Sequence, residues 1–299
     1  KIILAALPFF MLQIQFQSYF STAEKPQMGL VITVASGITN IILDALFIIV
    51  FKWGLVGAAL ATSFSQAVGG IVPFIYFIRP NTSLLRITKT TFDGKAILKA
   101  CSNGASELMS NISMSVVGML YNLQLMKYAG ENGVAAYGVL MYVNMVFLSA
   151  FIGYSVGTAP IIGFNYGAQN HSELKSLLKK SALIISIFSV IMFVSSELLA
   201  RPLSSIFIKN DSDLLSLTLR GFMIFSFSFL LSGISIFGSS FFTALNNGAV
   251  SAIISFLRTL VFQIAALIIL PILFGINGIW FSIIVAEIMS VLITFFFIF

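Results

Sequence analysis

The chain is 299 residues long, 59% hydrophobic and only 9% charged, with a formal charge of +6, whereas a soluble domain carries about a quarter charged residues. That composition excludes water as the solvent for most of the surface. Lys and Arg gather between apolar runs and form no basic face interleaved with aromatics, which argues against nucleic acid as a partner.

Apolar runs near the roughly 20 residues that cross a bilayer predict about nine membrane helices, at approximately 2–22, 28–51, 55–78, 96–127, 133–163, 175–199, 214–244, 249–274 and 278–299. The expected fold is an all-α polytopic membrane protein built as two helical bundles. The first span opens directly on Lys1, and the chain is expected to be a fragment of a longer one. The second span carries Asp44, and a charged side chain at the bilayer centre costs on the order of 3 kcal/mol. Asn40 lies four residues earlier on the same helical face. On the third span, Thr62 stands nine residues after the turn near Trp53 (62 minus 53) and Asp44 nine before it (53 minus 44). In a helical hairpin equal spacing means equal depth, about 14 Å from the turn at 1.5 Å per residue. Carboxylate, amide and hydroxyl oxygens then converge near mid-membrane. Hard oxygen donors suit Na⁺, and a desolvated carboxylate without a fixed counter-charge can carry a proton instead. Simple packing, with Asn40 and Thr62 merely satisfying Asp44, could use far less costly groups.

The connection 79–99 holds Arg79, Arg86, Lys89, Lys95 and Lys99 against one acid, Asp93, and the next basic cluster is Lys175, Lys179 and Lys180. Both are expected on the cytoplasmic side, which places the C-terminus there too. Residues 1–78 form the first bundle, 79–95 the inter-bundle linker and 96–299 a six-helix second bundle. In the fourth span, Cys101 is a packing residue, and a single cysteine excludes an internal disulfide or a multi-cysteine metal site. Glu107, in a run that also contains Asn103, Ser106 and Asn111, stands eleven residues into that span (107 minus 96). It is a candidate for a substrate cation or a second proton, or else a buried acid held by Ser and Asn. Met109, Met114 and Met119 suit an adaptable cavity, although lipid-facing or core positions account for most such residues. The fifth span ends in a run with Gly153, Gly157, Pro160 and Gly163, whose small-residue spacing predicts close helix packing with a kink. His171, beside Glu173 and Lys175, is expected to be a solvated connection residue. Arg258 and Glu287 stand at unequal distances from the turn near Gly275, so no direct contact between them is expected.

The chain also repeats itself. At a shift of 221 (243 minus 22), Phe16, Phe20, Thr22 and Ala23 fall on Phe237, Phe241, Thr243 and Ala244, and Gly54 and Gly57 fall on Gly275 and Gly278. Duplication is the economical account. Residues 2–78 then match only the last three helices of the second bundle, so three further helices are expected before Lys1. Asn40, Asp44 and Thr62 map to Val261, Ala265 and Ile283, which confines the oxygen cluster to one half.

With its Asn40-x3-Asp44-x-Leu-Phe segment, its Gly54-x2-Gly57-Ala-Ala-x-Ala-Thr62 segment and the run from Pro160 through Ala168 to Asn170, the chain resembles the multidrug and toxin extrusion (MATE) family. The resemblance implies two six-helix lobes facing a central cleft and rocker-type alternating access, with Na⁺ or H⁺ entering as substrate leaves. It assigns Asn40, Asp44 and Thr62 to the amino-terminal-lobe ion site, whose further acid lies on a helix this chain lacks. Glu107 matches a position where some members carry a functional carboxylate, but its usual acidic partner is missing, since 214–244 contains no Asp or Glu.

The expected function is therefore cation-coupled antiport of small amphipathic or cationic molecules, by a monomer in a plasma or bacterial inner membrane. Its partners are a small-molecule substrate and membrane lipid, and it needs no cofactor beyond the coupling ion. A flippase for lipid-linked oligosaccharides is the alternative, though only Arg258 and Arg220 look deep enough to meet a pyrophosphate. One His, one Cys and no paired acids within a span leave no nucleophile and base for an enzyme. A scaffold gives no reason to bury Asp44.

Overall fold

The computed structural model describes residues 1–81, 83–88, 91–208 and 211–298. Lys89 of the basic linker and Phe299 at the end of the last expected span lie outside the described residues, as does the Ser106 side chain. Among the described residues all regular structure is helical. The chain divides into two compact units, Lys1–Phe92 and Asp93–Phe299.

The amino-terminal unit contains α1 (Ile2–Thr22), α2 (Pro26–Asp44), a π-helical continuation (Ala45–Val50) and α3 (Gly54–Ile78). Pro26 starts α2 where its missing N–H costs nothing. Helices α1 and α3 come close because α3 presents glycine: a Cβ on Gly70 would stand 2.6 Å from the Phe9 carbonyl oxygen. Phe16 stacks on Phe77 at 5.5 Å, and Phe20 lies 4.9 Å from the same ring. Helices α2 and α3 are tied by the Ser36 hydroxyl, which donates to the Ser65 carbonyl at 2.6 Å. The start of the linker folds back on the unit, where the Ile87 N–H donates to the Phe77 carbonyl at 3.0 Å.

The carboxyl-terminal unit begins with α4 (Gly94–Asn103), whose N-terminus is capped by the Asp93 carboxylate. Next comes α5 (Ala105–Gly167), whose 63 residues would span about 95 Å if straight, some three bilayer thicknesses. It is not straight, because Gly130 takes φ 62 and ψ −151, a conformation open to a residue without a Cβ. The Tyr121 and Tyr137 rings stack at 4.9 Å, where sixteen residues of continuous helix would hold them about 24 Å apart. The chain therefore doubles back at Gly130, beside the turn expected near Glu131. Eight helical stretches among the described residues are long and apolar enough to cross a membrane. The reversal divides one of them, which gives nine helical segments for the nine expected spans among the described residues. The rest are α6 (His171–Phe207), α7 (Ser212–Phe225), a short 3₁₀ turn (Ser226–Ser228), α8 (Phe229–Ala244), α9 (Gly248–Phe256), a π segment (Leu257–Val261), α10 (Phe262–Phe274) and α11 (Ile276–Ile298). Their core gathers Leu125, Leu140, Phe222, Phe229, Leu267 and Trp280.

The repeat is visible in the helices. Moved by 221, 26–50 becomes 247–271 and 54–78 becomes 275–299, against observed α9 through α10 at Gly248–Phe274 and α11 at Ile276–Ile298. Phe16, Phe20, Phe237 and Phe241 are all buried. Gly54 and Gly275, which correspond, both have positive φ, 54 and 56.

Two expectations need correction. Gly153 and Gly157 are exposed with no other chain atom within 4 Å of a Cβ position, so that pair does not pack closely inside its unit, whereas the Cβ position of Gly163 lies 3.5 Å from the Ala244 carbonyl oxygen. Spacing marks where backbones could approach; the neighbouring helix decides whether they do. Cys101 is likewise exposed rather than packed. Close approach occurs instead at Gly278, where an added Cβ would run into the Leu270 carbonyl oxygen. Gly278→Ala should therefore destabilise the unit by about 1–3 kcal/mol. A lowered thermal unfolding midpoint in detergent checks this, with Gly157→Ala as the neutral control.

Candidate functional site

Asp44 is the last α-helical residue of α2 and stands immediately before the π segment Ala45–Val50. Single π turns within helices occur often at functional sites, because the extra residue turns the backbone and re-aims the side chains beside it. Asp44 and Asn40 are half-buried. The Asp44 Oδ1 and Asn40 Nδ2 atoms are buried and, among the described residues, have no hydrogen-bond partner. The Thr62 hydroxyl donates to the Ala58 carbonyl of its own helix at 3.0 Å, which leaves its lone pairs free to accept.

Among the described residues no hydrogen bond joins Asn40, Asp44 and Thr62 to one another. The depth ladder also shifts slightly. Gly57 meets Phe47, with its Cβ position 3.1 Å from the Phe47 carbonyl oxygen, so the hairpin is centred near residue 52 instead of Trp53. Lys52 and Gly54 both have positive φ and make the turn asymmetric. Equal offsets from 52 set Thr62 level with Ile42, between Asn40 and Asp44.

Sequence reasoning passed over Gln66, whose Oε1 is also buried without a partner. Two signals could have found it: it lies one turn beyond Thr62, and the 221 shift carries it onto Glu287. With Asn40 and Asp44, it completes the unpartnered buried side-chain atoms of the amino-terminal unit among the described residues.

In the carboxyl-terminal unit, Glu107 lies in the first turn of α5, just after the break at Gly104, and its side chain is exposed. The Asn111 amide donates to its backbone carbonyl, not to its carboxylate. His171 is exposed at the start of α6, and Met114 and Met119 are exposed as well. A second acid overlooked in the sequence, Glu197 on α6, is half-buried and accepts a short hydrogen bond from the Ser226 hydroxyl. The buried hydroxyls of Ser239, Thr243, Ser251 and Ser255 bond to one another at 2.6–2.9 Å and need no ligand.

Arg258 and Glu287 do touch, contrary to expectation. The guanidinium Nε lies 3.0 and 3.1 Å from the two carboxylate oxygens and Nη2 lies 2.8 Å from one, with the Glu287 side chain 2% exposed. The reason is the hairpin register. Gly278 sits against Leu270, so the centre falls near residue 274 and Arg258 comes level with Ser290, one turn from Glu287. Arg258 also lies within the π segment Leu257–Val261, whose wider turn re-aims it.

Repeated helices long and apolar enough to cross a bilayer define a multi-pass protein of a cell membrane with the build of a transporter. The chain belongs to the MatE family, whose model matches residues 108–269. That is a family of transporters, not of enzymes. The chain is 26% identical over 288 residues to the multidrug export protein MepA of Staphylococcus saprophyticus and 27% identical over 292 residues to that of Staphylococcus haemolyticus. Each comparison covers 96% of this chain and 63% of the relative, so the chain spans less than two thirds of their length. A MATE crystal structure in complex with MaL6 superposes with a TM-score of 0.92 at 21% identity, covering 99% of this chain and 67% of that one. An outward-facing multidrug resistance MATE transporter of the MOP superfamily gives 0.85 at 23% identity, covering 91% and 62%. These likenesses establish the fold.

Proposed function

We propose that the full-length protein is a secondary active transporter that exports small amphipathic, often cationic compounds in exchange for Na⁺ or H⁺. In this reading the exchanged cation rides at Asn40, Asp44 and Thr62. One observation carries it: Asp44 is held in a membrane helix with a buried oxygen that no described residue satisfies. A charge kept in that state costs several kcal/mol unless something binds there. Relatives named as multidrug export proteins support the substrate class. Glu107, exposed in its own unit, is free to meet a cationic substrate. The protein acts as a monomer in a cell membrane, with its C-terminus in the cytoplasm.

The test uses full-length protein in liposomes loaded with a cationic dye. An imposed inward Na⁺ or proton gradient should speed dye efflux about tenfold over protein-free vesicles, the effect expected of a coupled transporter rather than a leak. Dye efflux indifferent to both gradients would overturn the reading, and translocation of lipid-linked head groups without dye transport would replace it with a flippase.

A further inference from the structure

Helix α4 carries two unlike faces, and its unit covers neither. At 3.6 residues per turn, Ile97, Leu98 and Cys101 fall on one side, while Lys95 and Lys99, one turn apart, fall on another. Leu98 is 72% exposed, and Ile97, Cys101 and both lysines are exposed as well. Apolar side chains on a short basic helix are costly in water. A bilayer surface receives apolar and cationic groups side by side.

The helix also stands at the level of such a surface. Its last residue, Asn103, donates from its side-chain amide to the Thr243 carbonyl at 3.2 Å, and a Cβ on Gly248 would lie 2.7 Å from the Asn103 Cα. Thr243 and Gly248 flank the turn between two helical stretches long and apolar enough to cross a membrane. Such a turn lies outside the hydrocarbon, where its backbone groups meet water. The end of α5 comes to the same turn, with the Gly163 Cβ position 3.5 Å from the Ala244 carbonyl oxygen, and α6 begins shortly after it at His171. One end of the unit therefore gathers Lys95 and Lys99 with Lys175, Lys179 and Lys180, clusters far apart along the chain. The acids there answer little of this charge. The Asp93 carboxylate caps α4, accepting from the Lys95 and Ala96 N–H groups, and Glu173 pairs with Lys180 at 3.9 Å. Glu107 is exposed beyond the break at Gly104, and among the described residues no carboxylate comes within ion-pair distance of Lys95, Lys99, Lys175 or Lys179.

We propose that α4 is an interfacial helix that binds anionic phospholipid. Ile97 and Leu98 enter the acyl boundary, Lys95 and Lys99 hold head-group phosphates, and Lys175 and Lys179 extend the same patch along α6. Charge selects the class of lipid: a zwitterionic head group brings no net charge to four unpaired ammonium groups, whereas an anionic one does. The surface is independent of the ion site proposed above.

The test is fluorescence quenching in full-length protein carrying Leu98→Trp, in nanodiscs of mixed phosphatidylglycerol and phosphatidylcholine. One lipid at a time carries bromine on its acyl chains, and the signal of the parent protein is subtracted. At equal mole fraction, phosphatidylglycerol should be preferred around the introduced indole by about fivefold, the effect of one basic residue at an anionic surface. Adding Lys95→Gln and Lys99→Gln should bring that preference close to one, as should raised salt. Equal quenching by both lipids in the parent background would overturn the proposal, as would a preference that survives loss of both lysines. Quenching by neither lipid would overturn it too: access by aqueous iodide would then place the face in water, and shielding from iodide would place it under another part of the protein. Ile97→Trp, on the same face, repeats the measurement should Leu98→Trp fail to fold. Dye efflux indifferent to cation gradients, with the lipid preference intact, would remove the transport reading and leave this surface standing.

Discussion

Asp44→Asn is expected to lower gradient-driven export by about a hundredfold, the equivalent of roughly 2.7 kcal/mol, while the folded protein survives. The amide has nearly the shape of the carboxylate but no charge to exchange, so the coupling step loses its carrier and the packing loses little. Removing a half-buried charge that no described residue hydrogen-bonds also relieves a desolvation cost, so thermal stability should hold or rise. That pairing of outcomes separates function from structure. Asp44 Oδ1 accepts no hydrogen bond whose loss would destabilise the fold, unlike an acid retained to cap or bridge helices. Efflux under an imposed Na⁺ or proton gradient and a thermal unfolding curve, both on full-length protein, provide the check. Undiminished efflux would remove Asp44 from the mechanism, and a collapse in stability would recast it as a structural residue.

The second large effect lies in the other unit. Arg258→Met should destabilise the protein by about 3–5 kcal/mol, the usual cost of breaking a buried ion pair from one side, because Glu287 is left charged and unpaired in an apolar core. Its carboxylate is 2% exposed and bound through three contacts, so water cannot take over. Removing both charges together, as Arg258→Met with Glu287→Gln, should recover most of that loss, since a neutral pair pays no such penalty. Thermal unfolding midpoints of the two single variants and the double variant measure the coupling. Equal destabilisation by the single and double variants would mean that Arg258 contributes through packing alone.

Much of the fold was legible along the chain. Apolar runs of bilayer length locate helices because no unpaired backbone group is tolerated in lipid, and a helix satisfies its own. The shift of 221 anticipated that 26–50 and 54–78 would be built again, as α9–α10 and α11. The reversal near Glu131 was legible as the gap between the apolar runs 96–127 and 133–163, which each match one bilayer crossing in length. The site was legible where it rested on expense: Asn40 and Asp44 stand out because polar groups in a membrane helix are costly. Gln66 carries no charge and drew no notice. Glu197 lies near the end of its span, where an acid is unremarkable.

What the linear order could not supply was register and orientation. Whether Arg258 reaches Glu287 turns on a hairpin centre displaced by about one residue and on a π turn, shifts of a few ångströms that residue counting does not resolve. Whether Gly153 packs, or Cys101 is covered, depends on which face another helix occupies. By itself the sequence determined where the bilayer-length helices lie and that Asp44 stands in one of them, because these follow from the cost of placing polar groups in lipid, and the shift of 221 pointed to duplication. Only the tertiary structure decided which polar atoms meet and which are left unsatisfied, because a hydrogen bond forms or fails over less than an ångström.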